Sequence, residues 1–278
     1  MDRSKFKDTY GPWALITGGT EGIGLCFAEQ LAEAGLNIAL VARREELLTQ
    51  ICSRLGQDHG IQTRHITADL SDPEGVVSVI EAMQGVEVSL VIHNAGATHG
   101  AKAFLDQPCE TAEALMTLNC LTPLRLSHHF GQAMKDKGAG GLIMMNSLAC
   151  LAGASAITPY SAAKAYLMRL SEGLWHEFKP YGVDVLTVLA GATRTPAMVK
   201  SIPGFETDDS LMAPEQVAGE ALAFLGRGPV CVPGGNKEAA AFMMSPDRVG
   251  LVNMMSKATA DLYGLEGVEH AGENFSEG

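Results

Sequence analysis

The sequence predicts one α/β domain of the doubly wound type, in which a mostly parallel central sheet of about seven strands carries helices on both faces. Short apolar segments alternate with helix-like segments along most of the chain. The 278 residues are 46% hydrophobic, which is enough to bury one large core. No linker, composition change, internal repeat or low-complexity segment divides them. A β-α-β-α order of this kind predicts a parallel sheet with crossover helices.

The predicted strands are short apolar or alternating runs bounded by glycine, proline or polar residues. They cover residues 13–17, 37–41, 61–67, 88–92, 141–146, 183–189 and 230–232. The composition of run 88–92 is typical of a strand that is buried on both faces.

Six predicted helices lie between these strands, with apolar residues at three- and four-residue spacing. They cover residues 22–34, 45–55, 73–83, 110–135, 159–178 and 214–225. Pro73 and Pro159 suit the first helical position, and Thr158 suits the N-cap of the helix that follows it. We expect the long helix 110–135 to bend near Pro123.

The charge of the chain argues against a nucleic-acid partner. Acidic residues outnumber basic ones by 32 to 20, giving a net charge of −12, whereas general nucleic-acid binding needs a basic surface. A local basic pocket for one phosphorylated ligand remains compatible with this balance.

Targeting and metal-binding signals are not found in the sequence. Residues 1–11 are polar and charged, and the charge-free run between Lys137 and Lys164 is interrupted by glycine and proline, so we expect no secretory signal and no integral membrane segment. The 6 cysteines show no C-x-x-C spacing, which favours reduced thiols in a cytoplasmic protein. With no H-x-x-x-H motif or Cys/His cluster, we predict no metal.

The first strand leads into a glycine-rich turn, TGGTEGIG. Glycines permit a tight turn and close approach of a backbone to a pyrophosphate, and the following helix N-terminus attracts the anion. The turn therefore predicts a dinucleotide site, although it could also be a tight strand–helix connection without a ligand. The candidate contacts are Thr17, Gly18, Thr20, Gly22, Ile23 and Gly24.

The end of the second predicted strand indicates which dinucleotide is favoured. An acidic residue there would bind the ribose 2′-hydroxyl, but the position is held by Ala42, followed by Arg43 and Arg44. Guanidinium groups suit a 2′-phosphate, which favours NADP(H) over NAD(H). The alternative is that both arginines are solvated surface residues. Glu21 weakly opposes phosphate binding because it adds negative charge nearby.

A tyrosine and a lysine share one face of the helix predicted at 159–178, since Tyr160 and Lys164 are four residues apart. A nearby ammonium favours the phenolate and lowers the pKa of a tyrosine from its usual ~10. Such a phenol can exchange a proton with a carbonyl oxygen. Ser147, after the preceding strand, could hydrogen-bond the same oxygen. Alone, the Y-x-x-x-K spacing could also be a solvated helix face.

Together these motifs resemble the short-chain dehydrogenase/reductase family over about residues 11–235, and its NADP-dependent ketoreductases of the 3-oxoacyl and 17β-hydroxysteroid types in particular. The resemblance implies a Rossmann-type fold. The matching positions are residues 17–24, Asp69 in ADL, Asn94-Ala95-Gly96, Asn119, Ser147, Tyr160 and Lys164.

The resemblance also implies catalytic roles. Tyr160 would be the general acid/base, and Lys164 would lower its pKa and hydrogen-bond the nicotinamide ribose. Ser147 would orient the substrate carbonyl, and Asn119 would hold a water in a proton relay to Lys164.

Further cofactor contacts follow from the same resemblance. Asp69 would contact the adenine, and Thr195 would bond the nicotinamide carboxamide. The full set implied outside the glycine-rich turn is Arg43, Arg44, Asp69, Leu70, Asn94, Ala95, Gly96, Tyr160, Lys164, Gly191, Thr193 and Thr195.

Three positions depart from the family pattern. Ala190 stands where a proline is usual, which makes the adjoining loop less rigid. His93 replaces a frequent asparagine and is interpreted as a hydrogen-bonded residue at a strand end. Glu21 replaces a basic residue that many NADP enzymes of the family carry.

The segment 192–214 resembles the family's substrate lid. Its apolar residues favour an apolar carbonyl or alcohol substrate, although ordinary core packing would also account for them. These residues are Met198, Val199, Ile202, Phe205, Leu211 and Met212.

A methionine-rich helical extension is predicted at 236–263, which completes a single domain over 1–265; residues 266–278 are predicted to form a flexible acidic tail. The extension could close the substrate pocket, form a subunit interface, touch a membrane surface or pack onto the core. The excess of acidic residues disfavours the membrane.

The resulting prediction is a cytoplasmic NADPH-dependent reductase of an apolar ketone, reversible as an alcohol dehydrogenase. Family likeness favours a homodimer or homotetramer. Two alternatives remain: an NADP(H)-binding sensor or scaffold without catalysis, and a dehydratase or epimerase that uses bound cofactor.

Overall fold

The sheet is the centre of the molecule. The structure, a computed structural model, describes residues 3–96, 98, 100–202, 205, 208 and 211–265. Within them, seven strands form one sheet. They are β1 Trp13–Thr17, β2 Asn37–Ala42, β3 Thr63–Thr67, β4 Val88–His93, β5 Gly140–Ser147, β6 Val183–Ala190 and β7 Val230–Cys231. Their order is β3-β2-β1-β4-β5-β6-β7, and every pairing is parallel, which confirms the predicted fold class.

Helices connect the strands and continue beyond the last one. Those in the described residues are α1 Arg3–Tyr10, α2 Gly22–Glu33, α3 Glu45–His59, α4 Pro73–Ala82, α5 Cys109–Met116, α6 Thr122–Lys137, α7 Thr158–Phe178, α8 Pro196–Ser201, α9 Pro214–Phe224, α10 Lys237–Phe242 and α11 Arg248–Tyr263. Among these helices, none combines the length and apolarity needed to cross a membrane.

Two hydrophobic layers cover the sheet. Successive strand residues point to opposite faces, so Ile16 packs into one layer and Leu15 into the other. The first layer contains Phe27 of α2 and Leu48 of α3, and the second contains Leu126 of α6. Strand order reverses between β1 and β4, which opens a crevice at their carboxyl ends.

Two predicted boundaries differ because of local hydrogen bonds. β3 begins at Thr63 rather than at residue 61, since the Gln62 N–H donates to Asn37 Oδ1 at 2.9 Å outside the ladder. α3 continues to His59, where Gly60 adopts a φ of 64° and stops the helix.

The predicted helix 110–135 is two helices separated by a π-helical turn, Thr117–Leu121. The Thr122 N–H donates to the Thr117 carbonyl, five residues back. Pro123 lacks an N–H and its ring crowds the preceding turn, so the wider turn accommodates it. The expected irregularity near Pro123 is therefore present, as a π turn rather than a bent α-helix.

Thr158 is not the N-cap of α7, which corrects the sequence interpretation. The helix begins at Thr158, its first backbone bond runs from the Ser161 N–H to the Ile157 carbonyl at 2.9 Å, and Pro159 is the second residue. The Thr158 hydroxyl instead donates to the Ala154 carbonyl at 3.3 Å.

The sequence analysis missed α1. Its Phe6 and Tyr10 are buried in the first hydrophobic layer, and the Tyr10 hydroxyl donates to Asp184 Oδ2 at 2.6 Å. Two apolar residues in an otherwise polar segment give too weak a periodic signal for a helix. The acidic tail predicted at 266–278 lies outside the described residues.

Candidate active site

The glycine-rich turn joins β1 to α2 at the crevice. Gly18 and Gly22 have φ values of 69° and 56°, a region that side-chain-bearing residues rarely adopt. A Cβ on Gly24 would overlap the Gly18 carbonyl oxygen. Glu21 precedes α2 without capping it through its side chain. The turn thus leaves the first N–H groups of α2 facing the crevice, a geometry that suits a phosphate.

The segment after β4 is fixed to this turn. Thr17 Oγ1 accepts hydrogen bonds from the backbone N–H groups of Asn94, at 3.1 Å, and Ala95, at 3.0 Å. The Asn94 side-chain amide donates to the Gly18 carbonyl at 2.9 Å. The segments after β1 and β4 that are predicted to contact the cofactor are therefore hydrogen-bonded to each other at the point where the strand order reverses.

The two arginines after β2 differ in their surroundings. Arg43 is exposed, and none of the described residues forms an ion pair with it. Arg44 Nη2 lies 2.7 Å from Glu21 Oε2 and 3.2 Å from Thr20 Oγ1. Arg44 thus reaches across to the glycine-rich turn, and Glu21 is its ion-pair partner.

Asp69 and Leu70 follow β3 at the same edge of the sheet. Asp69 Oδ1 accepts hydrogen bonds from the Ser71 N–H at 3.0 Å and the Ser71 hydroxyl at 2.6 Å. The Leu70 carbonyl accepts from the Thr122 hydroxyl at 2.8 Å. These bonds fix the segment predicted to contact adenine, and the contact itself stays a prediction.

Asn119 and Lys164 meet beside Gly96. A Cβ on Gly96 would lie 2.8 Å from Asn119 Oδ1 and 3.1 Å from Lys164 Nζ. The π turn presents Asn119 here, and its amide donates to the Leu115 carbonyl at 3.0 Å. Lys164 is only 5% exposed, and its ammonium donates to the Met145 carbonyl at 2.9 Å. A side chain at position 96 would therefore crowd both polar groups.

The tyrosine completes the cluster. Lys164 Nζ lies 5.7 Å from the ring centroid of Tyr160, and the Ser147 side chain is near enough to interact with the Tyr160 phenol. Through Lys164, the cluster also includes Asn119. The structure therefore brings together all four residues predicted to be catalytic.

The pKa of the tyrosine departs from the sequence expectation. Burial raises the pKa of Tyr160 to about 12, and this outweighs the hydrogen bond from Ser147. Burial also lowers the pKa of Lys164 to about 8, because the ammonium is desolvated. The pKa of the Tyr160 phenol is therefore raised by burial rather than lowered, contrary to the sequence expectation. Near neutral pH, the Tyr160 phenol is therefore protonated.

Asn146 is a site residue that the sequence analysis missed. It is buried at the end of β5, where its Oδ1 accepts from the Ser147 N–H at 2.8 Å. Its amide donates to the Lys164 carbonyl at 3.0 Å and to Thr187 Oγ1 at 3.3 Å. Asn146 therefore fixes Ser147 relative to α7. A lone asparagine at the end of an apolar strand was the available signal.

The segment after β6 closes the other side of the turn. The Thr193 hydroxyl donates to the Gly191 carbonyl at 3.0 Å, and Thr195 Oγ1 accepts from the Met198 N–H at 3.3 Å as the N-cap of α8. A Cβ on Gly22 would lie 3.1 Å from the Thr195 methyl carbon. Thr195 therefore lies against the glycine-rich turn.

Comparison with known proteins shows the family of the chain. The model of a family described as short chain dehydrogenase matches residues 12–204. The chain belongs to this family. A 7beta-hydroxysteroid dehydrogenase of Collinsella aerofaciens is 30% identical over 225 residues, covering 80% of this chain and 85% of that protein.

Two solved structures are similar to this short chain dehydrogenase. One comes from work on 7beta-hydroxysteroid dehydrogenase stereoselectivity; it has a TM-score of 0.85 and 28% identity and covers 90% of this chain and 98% of the other. The other is a short-chain dehydrogenase from Sphingobium yanoikuyae in complex with NADPH, with a TM-score of 0.77 and 30% identity, covering 87% of this chain and 94% of the other.

His93 of this short chain dehydrogenase is a structural residue, as predicted. It is 2% exposed at the end of β4, and its Nε2 lies 3.0 Å from the Ser127 hydroxyl. Burial lowers its pKa to about 3, so the imidazole is neutral near pH 7. A neutral, buried imidazole bonded to α6 holds β4 in place.

The predicted lid is partly packed into the protein. Ile202, Phe205 and Met212 are buried. The Met212 carbonyl accepts a hydrogen bond from the Arg194 N–H at 2.9 Å, which joins it to the segment that follows β6. Met198 and the neighbouring Val199 are half-buried.

The extension at 236–263 is helical, as α10 and α11. Phe242, Met244 and Val249 are 60%, 64% and 55% exposed, so simple packing onto the core does not account for them. Leu251 and Ala260, by contrast, are buried. One face of the extension therefore packs inward and another is open.

Proposed function

We propose that this short chain dehydrogenase is an NADPH-dependent reductase of apolar ketones, reversible as a secondary-alcohol dehydrogenase. The observation that carries the proposal is the convergence of Ser147, Tyr160 and Lys164 next to Gly96, at the end of the sheet that the glycine-rich turn also faces. A carbonyl held there would meet a hydroxyl, a phenol and an ammonium.

The residues present fit a dinucleotide. The positive φ values of Gly18 and Gly22 shape a turn that a phosphate can approach, and Gly96 leaves space beside Lys164 and Asn119. Arg43 supplies an exposed guanidinium where the 2′-phosphate would lie. The solved relative from Sphingobium yanoikuyae was obtained with NADPH, which supports the same cofactor here. When bound, NADPH supplies the hydride.

The residues of this chain orient the substrate carbonyl and supply the proton that its oxygen receives. Ser147 donates a hydrogen bond that orients and polarises the carbonyl. Tyr160 transfers its phenolic proton to that oxygen as the carbon becomes tetrahedral, which leaves a phenolate. The Lys164 ammonium stabilises the phenolate, and Asn119 holds a water through which the phenol regains a proton from solvent. Reversing these steps oxidises the alcohol.

Arg43→Ala tests the proposed contact between Arg43 and the 2′-phosphate of NADPH. Removal of a charge-assisted contact to the 2′-phosphate should raise the Kd for NADPH by ~10–100-fold. The Kd for NADH should change by less than about threefold, because NADH lacks that phosphate. Fluorescence titration of both dinucleotides measures the difference. Equal changes for the two would remove Arg43 from the cofactor assignment.

The substrate class rests on the apolar residues of the lid and on the 7beta-hydroxysteroid dehydrogenase relative. We propose apolar ketones, with steroid ketones as the first candidates. NADPH oxidation at a fixed ketone concentration can be followed with steroid ketones, 3-oxoacyl thioesters and small cyclic ketones, with a ketose sugar as the polar control. The proposal expects turnover with apolar members and little with the sugar.

The same assay separates the alternatives. Tight NADPH binding without turnover of any ketone would favour a sensor or scaffold. Product formed without net NADPH oxidation would favour a dehydratase or epimerase.

We further propose that α11 is part of the substrate side of the site. Ser256 Oγ accepts a hydrogen bond from the Ser155 N–H at 2.9 Å, in the loop that precedes α7. Arg248 Nη2 donates to the Leu151 carbonyl of the same loop at 3.2 Å. Tyr263, the last residue of α11, lies near enough to Tyr160 to add to the rise in the Tyr160 pKa that burial causes. These contacts support pocket closure over the other roles considered for the extension.

Replacement of Ser256 tests this role. Ser256→Ala leaves the Ser155 N–H without its acceptor, so the KM for the ketone should rise by about fivefold to tenfold. The Kd for NADPH should stay within about twofold, since the loop lies on the substrate side. Steady-state kinetics with dinucleotide titration measures both.

Thr259→Ala is a matched control, because its hydroxyl is also buried on α11 but donates to Met255 of the same helix. This variant should leave the KM for the ketone unchanged. A KM that rises equally in both variants, or in neither, would contradict the proposed role of Ser256.

A further inference from the structure

An ion pair crosses the rim of the dinucleotide crevice. Arg44 follows β2, and Glu21 is the residue directly before α2. Arg44 Nη2 lies 2.7 Å from Glu21 Oε2, and the same nitrogen lies 3.2 Å from the Thr20 hydroxyl. The pair therefore joins the two chain segments between which the phosphorylated ribose of adenosine would lie.

The Arg44 guanidinium, which a 2′-phosphate would also attract, is already paired with Glu21. The donor that faces the glycine-rich turn is already directed at a carboxylate and a hydroxyl. The two side chains are 52% and 34% exposed, so their attraction is screened by solvent and weak. A doubly charged phosphate makes stronger hydrogen bonds with a guanidinium. The 2′-phosphate can therefore replace Glu21 as the partner of Arg44. Breaking the Glu21–Arg44 pair makes the net free energy of NADPH binding less favourable.

We propose that Glu21 is a specificity-determining residue that competes with the 2′-phosphate of NADPH for Arg44. The Glu21–Arg44 pair opens when NADPH binds and stays closed when NADH binds. Glu21 therefore weakens the binding of NADPH but not that of NADH. It reduces the preference for NADPH over NADH that Arg43 and Arg44 create. The inference rests on the proposed function, since it assumes that this crevice binds NADP(H).

A positioning role for Glu21 predicts the opposite sign. If the carboxylate held Arg44 in the orientation that the phosphate needs, its loss would weaken NADPH binding. If Glu21 acted only through direct repulsion of the phosphate, its effect would not depend on Arg44. The sign of the effect and its dependence on Arg44 therefore separate three physical cases.

Glu21→Gln is the variant that tests the competition, because it removes the charge and keeps the shape. Calorimetric titration should show NADPH and 2′,5′-ADP bound ~3–10-fold more tightly than by the parent protein. NADH and 5′-AMP, which lack the 2′-phosphate, should change by less than about twofold. In the Arg44→Met background, Glu21→Gln should strengthen NADPH binding by a clearly smaller factor.

The chain offers a matched control for this variant. Glu29 and Arg54 also join α2 to α3, with Arg54 Nη2 2.7 Å from Glu29 Oε1. Glu29→Gln breaks an equivalent pair outside the glycine-rich turn and should alter neither NADPH nor NADH binding. Thermal melts of all variants check that each one is folded.

The outcomes are decisive. Weaker NADPH binding by Glu21→Gln, an equal change for NADPH and NADH, or an undiminished gain in the Arg44→Met background would each overturn the competition. If the parent protein binds neither dinucleotide, the proposed function itself fails, and that result is distinct from the other three.

Discussion

Tyr160→Phe should lower kcat for ketone reduction by about 10²–10⁴-fold, which is the range for loss of a positioned general acid. The variant removes only the phenolic oxygen. Leu115, Cys120 and Ala163, against which the ring packs, keep their neighbour. The Kd for NADPH should therefore stay within about twofold. Stopped-flow reduction and fluorescence titration measure the two quantities separately.

Tyr166→Phe is the matched control for this prediction, because Tyr166 lies on the same helix and is 38% exposed. It loses an identical atom away from the cluster and should retain parent kcat. Full activity of the Tyr160 variant would exclude the proposed proton donor. Loss of NADPH binding together with activity would instead indicate structural damage.

Lys164→Met should abolish a pH dependence as well as most of the activity. Burial lowers the pKa of Lys164 to about 8, so the ammonium is present below that pH and is lost above it. The kcat/KM for NADPH, which reports the free enzyme, should fall as pH rises through about 8. The variant should be ~10²-fold less active and lack this step.

Lys179→Met provides the comparison. Lys179 Nζ lies 5.0 Å from the Trp175 ring, the same four-residue relation as Lys164 and Tyr160, but on an exposed surface. This variant should keep both the activity and the decline near pH 8. Persistence of that decline in Lys164→Met would assign it to another group.

Most of the fold could be predicted from local patterns in the sequence. The alternating direction of the side chains along β1, which places Leu15 and Ile16 in opposite layers, follows from strand geometry. The glycine positions of the turn follow from the backbone freedom of glycine. The four clustered side chains were also predictable, because their residue types and spacing match one family.

Features that depend on distant contacts were not predictable. Phe6 and Tyr10 make α1 a helix through burial against the core, and Tyr10 reaches Asp184, 174 residues away. The pKa of Tyr160 depends on how deeply folding buries the ring and on Tyr263. The sequence showed the charge of Glu21 but not its partner 23 residues along the chain.

Hydride delivery from NADPH to the carbonyl carbon of a ketone, on which the whole proposal depends, can be tested by isotope transfer. NADPH carrying deuterium at both hydrogen positions of the reactive nicotinamide carbon would be incubated with the best ketone of the panel, and the product analysed by mass spectrometry and NMR. We expect a single deuterium on the carbinol carbon and one NADPH oxidised per alcohol formed. Product without carbon-bound deuterium, or formed without NADPH oxidation, would contradict it.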